Sequence, residues 1–360
     1  MQWPSHGGRP KQVLSRFNLD EGRDVLDFSA NINPLGPPAW LRERLVDELQ
    51  GVAAYPDPDY GEVRRVIAEA EGISLSQVLP TNGGAEAIFL AAALCAGKRA
   101  VIVQPTFGEY ARACSHYGLM VSDIHLDPLG FSLNESGAVN AMHEADVVFL
   151  CRPNNPTGTL VECALIERML EAGKRRGSNL VVDEAFVDFL ADPAERLTSL
   201  LERHSNLILL RSLTKLYAIP GLRLGYLLAS PETVRRVAAV QMPWSVNALA
   251  AALVEPLLSD EGFVTCTHAW LQEELPRMSE ALAALGFQVV PSRVNFLLFQ
   301  DARRPGETDA LFEFLLRKRV LARHTHNFPG LDGAWLRVAI RSASDNDCLI
   351  EALTAWRQQE

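Results

Sequence analysis

Three short stretches, residues 146–151, 180–183 and 207–210, are apolar nearly throughout, with helix-patterned sequence between them. A strand that is apolar at successive positions needs cover on both faces, which a parallel sheet between two helix layers provides. An apolar run at 100–104 and a strand-like stretch at 120–126 extend the series, and helices are expected at 39–50, up to Glu71, at 85–95 and at 107–117. A Pro/Asp/Tyr-rich turn at 55–61 separates the first two helices. This alternation predicts a three-layer α/β domain with a mainly parallel sheet. From about Pro231 the pattern changes to long helices, including 262–285, then strands at 287–290, 295–299 and 335–340. At 360 residues the chain exceeds one typical core, so more than one substructure is expected. The expected division is an N-terminal arm (1–40) joining the small domain, a large α/β domain (41–235) and a smaller C-terminal α+β domain (236–360).

Charge and composition narrow the partners. A formal net charge of −10 argues against nucleic acid or an anionic membrane surface as the main partner. The first eight residues have no apolar core of a signal peptide. The longest apolar run, 246–258, contains Glu255 and is too short to span a bilayer. Six scattered cysteines, with no C-x-x-C pair, read as free thiols in a reducing compartment and suggest no metal site. The expectation is a cytoplasmic enzyme acting on a small molecule.

The chemistry concentrates in Arg211-Ser212-Leu213-Thr214-Lys215-Leu216-Tyr217-Ala218-Ile219-Pro220-Gly221-Leu222-Arg223-Leu224-Gly225-Tyr226. A lysine amine serves an enzyme mainly by forming a Schiff base; elsewhere it is a solvated cation. Ser212, Thr214 and Arg223 together would satisfy a phosphate dianion near Lys215. An aldehyde for the lysine and a phosphate for its neighbours describe pyridoxal phosphate (PLP). Thr81-Asn82-Gly83-Gly84-Ala85-Glu86 opens a helix on a glycine turn, where free N–H groups and the helix dipole favour phosphate. No G-x-G-x-x-G motif is present, which counts against NAD. Asn154-Asn155-Pro156-Thr157-Gly158 follows an apolar strand, at the strand end where open α/β sheets bind ligands. Asp183 ends another such strand; a buried carboxylate there calls for a cationic partner, and a protonated pyridine nitrogen is one. Phe107 offers a ring face for stacking. Each motif has a plainer reading: a surface lysine, a glycine turn, a proline turn, an N-cap aspartate, a core aromatic. Their order along the chain is more specific than any one of them.

With these motifs in that order, the chain resembles fold-type I PLP enzymes of the class I/II aminotransferase superfamily, from its N-terminal arm to its last helix. The resemblance implies a PLP-dependent transferase-like fold. It implies Lys215 as the Schiff-base lysine, Asp183 at the pyridine nitrogen and Asn155 at the phenolic oxygen. It places Ser212, Thr214, Arg223 and the Gly84–Ala85 backbone at the phosphate. It further implies a homodimer, with Tyr55 reaching into the partner subunit's site.

Two subgroups are close, histidinol-phosphate aminotransferases and threonine-phosphate decarboxylases of the cobalamin pathway. His6-Gly7-Gly8, Asp27-Phe28-Ser29-Ala30-Asn31-Ile32-Asn33-Pro34-Leu35-Gly36, Gln241-Met242-Pro243-Trp244-Ser245-Val246-Asn247-Ala248-Leu249-Ala250 and Arg337-Val338-Ala339-Ile340-Arg341-Ser342 look like the decarboxylases. Phe186 stands where the aminotransferases commonly carry a tyrosine, and it cannot donate a hydrogen bond. The two reactions differ in which bond at Cα stands perpendicular to the cofactor's π plane, so the side chains that anchor the substrate's anions decide between them. Arg337 matches the superfamily's substrate-carboxylate arginine. Arg323, His6, Gly7, Asn31 and Asn155 complete the substrate candidates by resemblance. Arg341 and Arg323 also read as solvated charges, and His6 as an ordinary arm histidine. A non-catalytic PLP-binding regulator is the third reading; the short arm before Asp27 leaves no room for the DNA-binding domain such regulators carry.

Overall fold

The apolar stretches supply the centre of a seven-stranded sheet in the computed structural model, which describes residues 3–22 and 24–359. Met1 and Gln2 of the expected arm lie outside the described residues. After a two-residue strand β1 (Leu26–Asp27), the sheet is built from β2 (Val78–Thr81), β3 (Arg99–Gln104), β4 (Met120–His125), β5 (Val147–Cys151), β6 (Asn179–Asp183), β7 (Leu207–Ser212) and β8 (Gly225–Ala229). Their order is β2-β8-β7-β6-β5-β3-β4. The pairings among β4, β3, β5, β6 and β7 are parallel, whereas β8 pairs antiparallel with both β7 and β2.

Successive side chains of a strand point to opposite faces, and here each face meets its own core. Val147 and Phe149 of β5, Val181 of β6, and Ile208 and Leu210 of β7 join one apolar cluster. Val148 and Leu150, Val182, and Leu207 and Leu209 join the other. That is the three-layer arrangement expected from uninterrupted apolar strands. Helix Gly83–Ala93 is itself apolar nearly all round and packs between the sheet and helix Glu109–His116.

Two strands of this sheet were not legible in the sequence, nor were the two-residue strands at Leu26–Asp27, Val320–Leu321 and Arg323–His324. Pro80 cannot donate to a ladder, so the run containing it does not read as a strand; β2 accommodates it at the sheet edge. β8 starts at Gly225 in a stretch that reads as turn and motif. The helix expected at 39–50 is shorter, Leu41–Glu48, and tightens into a 3-10 turn, Leu49–Ala53, where Gly51 and β-branched Val52 weaken helix propensity. β4 is an edge strand and exposed at most positions.

The C-terminal strands β9 (Phe287–Val289), β10 (Phe296–Asp301), β11 (Val320–Leu321), β12 (Arg323–His324) and β13 (Leu336–Ala339) follow the 24-residue helix Glu261–Ala284. β12-β13-β10-β9 make an antiparallel sheet, while β11 pairs in parallel with β1. Ala339 donates to Phe28 O at 2.8 Å, which brings residues 28–31 beside β13. Among the described residues no helix is long and apolar enough to cross a membrane.

Candidate active site

A cavity of about 430 Å³ opens where the carboxyl ends of β5, β6 and β7 meet the N-terminal segment and the strand pair β12–β13. Every site residue named from the sequence lines it except Tyr55: His6, Gly7, Asn31, Gly84, Ala85, Phe107, Asn155, Asp183, Ser212, Thr214, Lys215, Arg223, Arg323 and Arg337. Tyr55 is 82% exposed on the outer surface, its ring 4.9 Å from that of Trp244.

One end of the cavity is made for an anion. Gly83 has φ +74°, and a Cβ there would lie 2.6 Å from a terminal guanidinium nitrogen of Arg223, so glycine lets that guanidinium lie over the start of helix Gly83–Ala93. Gly225 allows a second close approach, since a Cβ would lie 2.6 Å from Arg211 O and 3.1 Å from Gly84 N. The first N–H groups of the helix have no intrahelical acceptor. Ser212 and Thr214 share a hydrogen bond of 2.8 Å between their hydroxyls. Donors, a guanidinium and a helix terminus converge in a cradle that side chains would otherwise fill, which fits the phosphate of PLP.

The other groups fit the rest of that cofactor. Asp183 is buried; Tyr110 donates its hydroxyl to Oδ2 at 2.7 Å and the Ala185 amide donates to Oδ1 at 3.0 Å. Burial pushes the Asp183 carboxyl above its ordinary range, against the pull of Tyr110, Ala185 and Lys215. Burial, reinforced by the Asp183 charge, holds the Tyr110 phenol far above its usual value, so it stays a donor. Asn154 turns inward to Pro105 O and Thr157, while the Oδ1 atom of Asn155 accepts from Arg337, leaving the Asn155 amide NH2 as the donor facing the cavity. Sequence reasoning missed Tyr110: it sits one helical turn beyond Phe107, but nothing local shows that it meets a carboxylate 73 positions away. Removing its hydroxyl with Tyr110→Phe leaves Asp183 one donor short. PLP affinity should fall by about tenfold, measured by equilibrium binding to the apoprotein.

Burial, with Arg337 and Arg223 adding to it and Asp183 opposing, lowers the Lys215 amine to about 8. Because folding lowers this pKa, the charged amine costs the folded apoprotein stability below about pH 8. That cost disappears as the pH rises from about 8 towards the ordinary 10.5. Apoprotein amine reactivity towards an aldehyde should therefore reach half its maximum near pH 8; a midpoint near 10.5 would contradict this environment.

The second anionic region lies across the cavity. Arg323 and Arg337 are opposite residues of the antiparallel pair β12–β13, and both are buried. Among the described residues neither has a carboxylate within ion-pair distance. Burial lowers them to about 10 and about 9, so both remain cationic at neutral pH. Like charges directly opposite on a sheet are destabilising unless an anion joins them. Arg323 is oriented by Pro4 O, Ser5 O and Asn327, and Arg337 by Ser29 O and Asn155. Among the described residues both amide atoms of Asn31 are buried without a protein partner, unmet groups that a polar ligand would satisfy. His6 Nε2 lies 3.1 Å from Glu109 Oε1, and a Cβ on Gly7 would lie 2.0 Å from Ser29 O, so the arm can pass this close only as glycine. Arg341 is absent from the cavity lining: it bonds Asp345 and Asp27 O.

The sequence profile of the family described as aminotransferase class I and II matches residues 23–353. The chain is similar to threonine-phosphate decarboxylase of Salmonella typhimurium, 40% identical over 97% of this chain and 95% of that protein. Among solved structures it is similar to L-threonine-O-3-phosphate decarboxylase from Porphyromonas gingivalis, with 29% identity, 93% of this chain and 100% of that chain covered, and a TM-score of 0.82. It is also similar to histidinol-phosphate aminotransferase from Clostridium acetobutylicum, with 27% identity, 93% and 100% covered, and a TM-score of 0.89.

Proposed function

Because the chain belongs to the aminotransferase class I and II family, we propose that it catalyses the PLP-dependent decarboxylation of L-threonine O-3-phosphate. The product is 1-amino-2-propanol O-2-phosphate, the linker of the cobalamin nucleotide loop. The observation that carries the substrate is the facing pair Arg323 and Arg337, buried and, among the described residues, without carboxylate partners, beside the unmet amide of Asn31. A substrate with both a carboxylate and a phosphate suits two such guanidiniums. The near full-length likeness to the Salmonella decarboxylase supports this reaction over amino transfer.

PLP, when bound, supplies an electron sink for the pair left behind when carbon dioxide departs. The chain's own residues do the rest. Arg223, Ser212, Thr214 and the start of helix Gly83–Ala93 would hold the cofactor's phosphate, and Asp183, kept in place by Tyr110, would hold its ring N–H. Arg323, Arg337, Asn31 and His6 bind the substrate's anions and so select which bond at Cα is exposed to cleavage. Lys215 Nζ would be the amine that meets the cofactor's aldehyde and would carry a proton to Cα. Arginine suits the anion task because its planar fork binds carboxylate or phosphate through two parallel hydrogen bonds.

The working enzyme is a homodimer in this reading. Tyr55, Trp244, Met242, Val240 and Val52 are apolar or aromatic and 46–82% exposed, which supports a covered face there with Tyr55 turned towards a partner's cavity.

The test compares two reactions on the same preparation. With L-threonine O-3-phosphate and no keto acid, carbon dioxide should appear with one equivalent of amine product. With histidinol phosphate and 2-oxoglutarate, amino transfer should be slower in kcat/KM by orders of magnitude. The reverse ranking would make the protein an aminotransferase.

A further inference from the structure

Directly behind the cavity, on the other side of the sheet, lies a buried ion-pair chain that the proposed chemistry does not use. Three of its members are sequence neighbours of cavity residues. Arg152 follows Cys151 at the end of β5, Glu184 follows Asp183 at the end of β6, and Arg211 precedes Ser212 in β7. Strand alternation sends the cavity residue to one face and its neighbour to the other. All three charged side chains are 0% exposed.

The chain of contacts crosses strand after strand. Arg152 lies 3.7 Å from Glu184 Oε1, and Arg211 lies 3.1 Å from Glu184 Oε2 and 3.4 Å from Glu71 Oε2. Tyr226 of β8 donates to Glu71 Oε1 at 2.7 Å, and Thr198 bridges Arg211 and Glu71 at 2.9 and 2.8 Å. Arg152 is anchored further by Val161 O, Glu195 O and Glu195 Oε2. Among the described residues the Glu184 carboxylate accepts no hydrogen bond; the two guanidiniums hold it by charge.

Stability alone does not account for such an arrangement, because well-packed apolar residues often replace a buried ion pair without loss. Position offers a better account. The β6–β7 ladder ends with Asp183 opposite Leu210 and a bond from Glu184 N to Leu210 O. Beyond that point Arg211 and Ser212 pair only with β8. The Glu184–Arg211 contact is therefore the next link between β6 and β7, at the level where one strand presents Asp183 and the other leads into Ser212, Thr214 and Lys215.

We propose that Glu184 and Arg211 are positioning residues for the cofactor site, setting from behind the sheet the separation between Asp183 and the Ser212–Lys215 turn. This rests on the reading of the cavity as a PLP site. The pair acts through the segments it joins and touches no cofactor atom.

The test replaces both charges at once, Glu184→Leu with Arg211→Met, leaving Arg152 on Glu195 and Glu71 on Tyr226 and Arg196. Thermal unfolding of the apoprotein and the PLP dissociation constant, read from the visible band of lysine-bound cofactor, are measured on the same samples. The expected result is an apoprotein melting within a few degrees of the native one and a PLP affinity lowered by about tenfold or more. An affinity within about twofold of native at unchanged melting overturns the proposal, leaving the pair with structure alone. Should the double variant fail to accumulate folded, Arg211→Lys keeps the charge and loses the planar fork. Weakened PLP binding in it supports the proposal, and native affinity overturns it. Native protein that bound no PLP would instead remove the cofactor reading, so the two failures are distinguishable.

Discussion

Lys215→Ala should lower decarboxylation of threonine phosphate by about a thousandfold or more, with PLP still entering the cavity without a covalent bond. The size follows from the two tasks the proposed function places on one atom: Lys215 Nζ would anchor the cofactor and move the proton to Cα, and positioned proton transfer alone contributes about 10²–10⁴-fold. Its lowered pKa of about 8 makes both tasks feasible near neutrality, because an appreciable fraction of the amine is unprotonated there. Borohydride reduction should fix PLP to the native protein and leave the alanine variant unlabelled at this position. A variant within tenfold of native turnover, or labelled equally, would show that another amine does the work.

The second large effect concerns the substrate phosphate. Unphosphorylated L-threonine should be decarboxylated with kcat/KM lower by about 100-fold or more, because buried guanidinium donors would lose their acceptor. Charge-assisted hydrogen bonds are worth about 1.5–3 kcal/mol each, and each 1.4 kcal/mol is about tenfold in rate. Arg323→Gln and Arg337→Gln should each lower kcat/KM for threonine phosphate by about 10–100-fold. At least one should also narrow the gap between threonine phosphate and threonine. Should the gap persist unchanged in both variants, the phosphate is recognised elsewhere.

The sequence made the fold legible where one physical signal dominated. Strands β5, β6 and β7 are apolar on both faces, and only helix layers on both sides can bury them. β2 and β8 escaped because Pro80 and Gly225 read as breakers, although a sheet edge and a close backbone approach tolerate each of them. The cavity was legible for a related reason: its motifs sit at strand ends and turns, where spacing along the chain approximates spacing in the fold. The facing register of Arg323 and Arg337 depends on strand pairing, which no local pattern specifies. The Tyr110–Asp183 bond joins distant segments. Glu184 gives the same local signal as Asp183, a carboxylate at the end of an apolar strand. Alternation alone sends it to the opposite face, and its partners Arg152 and Arg211 come from two other strands.

The central claim, that this cavity directs cleavage to the carboxyl group of a phosphorylated amino acid, is tested most directly by a single turnover. Holoenzyme in excess is mixed with carboxyl-labelled L-threonine O-3-phosphate, with no keto acid present, and gas and cofactor are assayed together. The account predicts one equivalent of labelled carbon dioxide and a cofactor recovered as the aldehyde. Recovery of pyridoxamine phosphate with the label retained in a keto acid would contradict it.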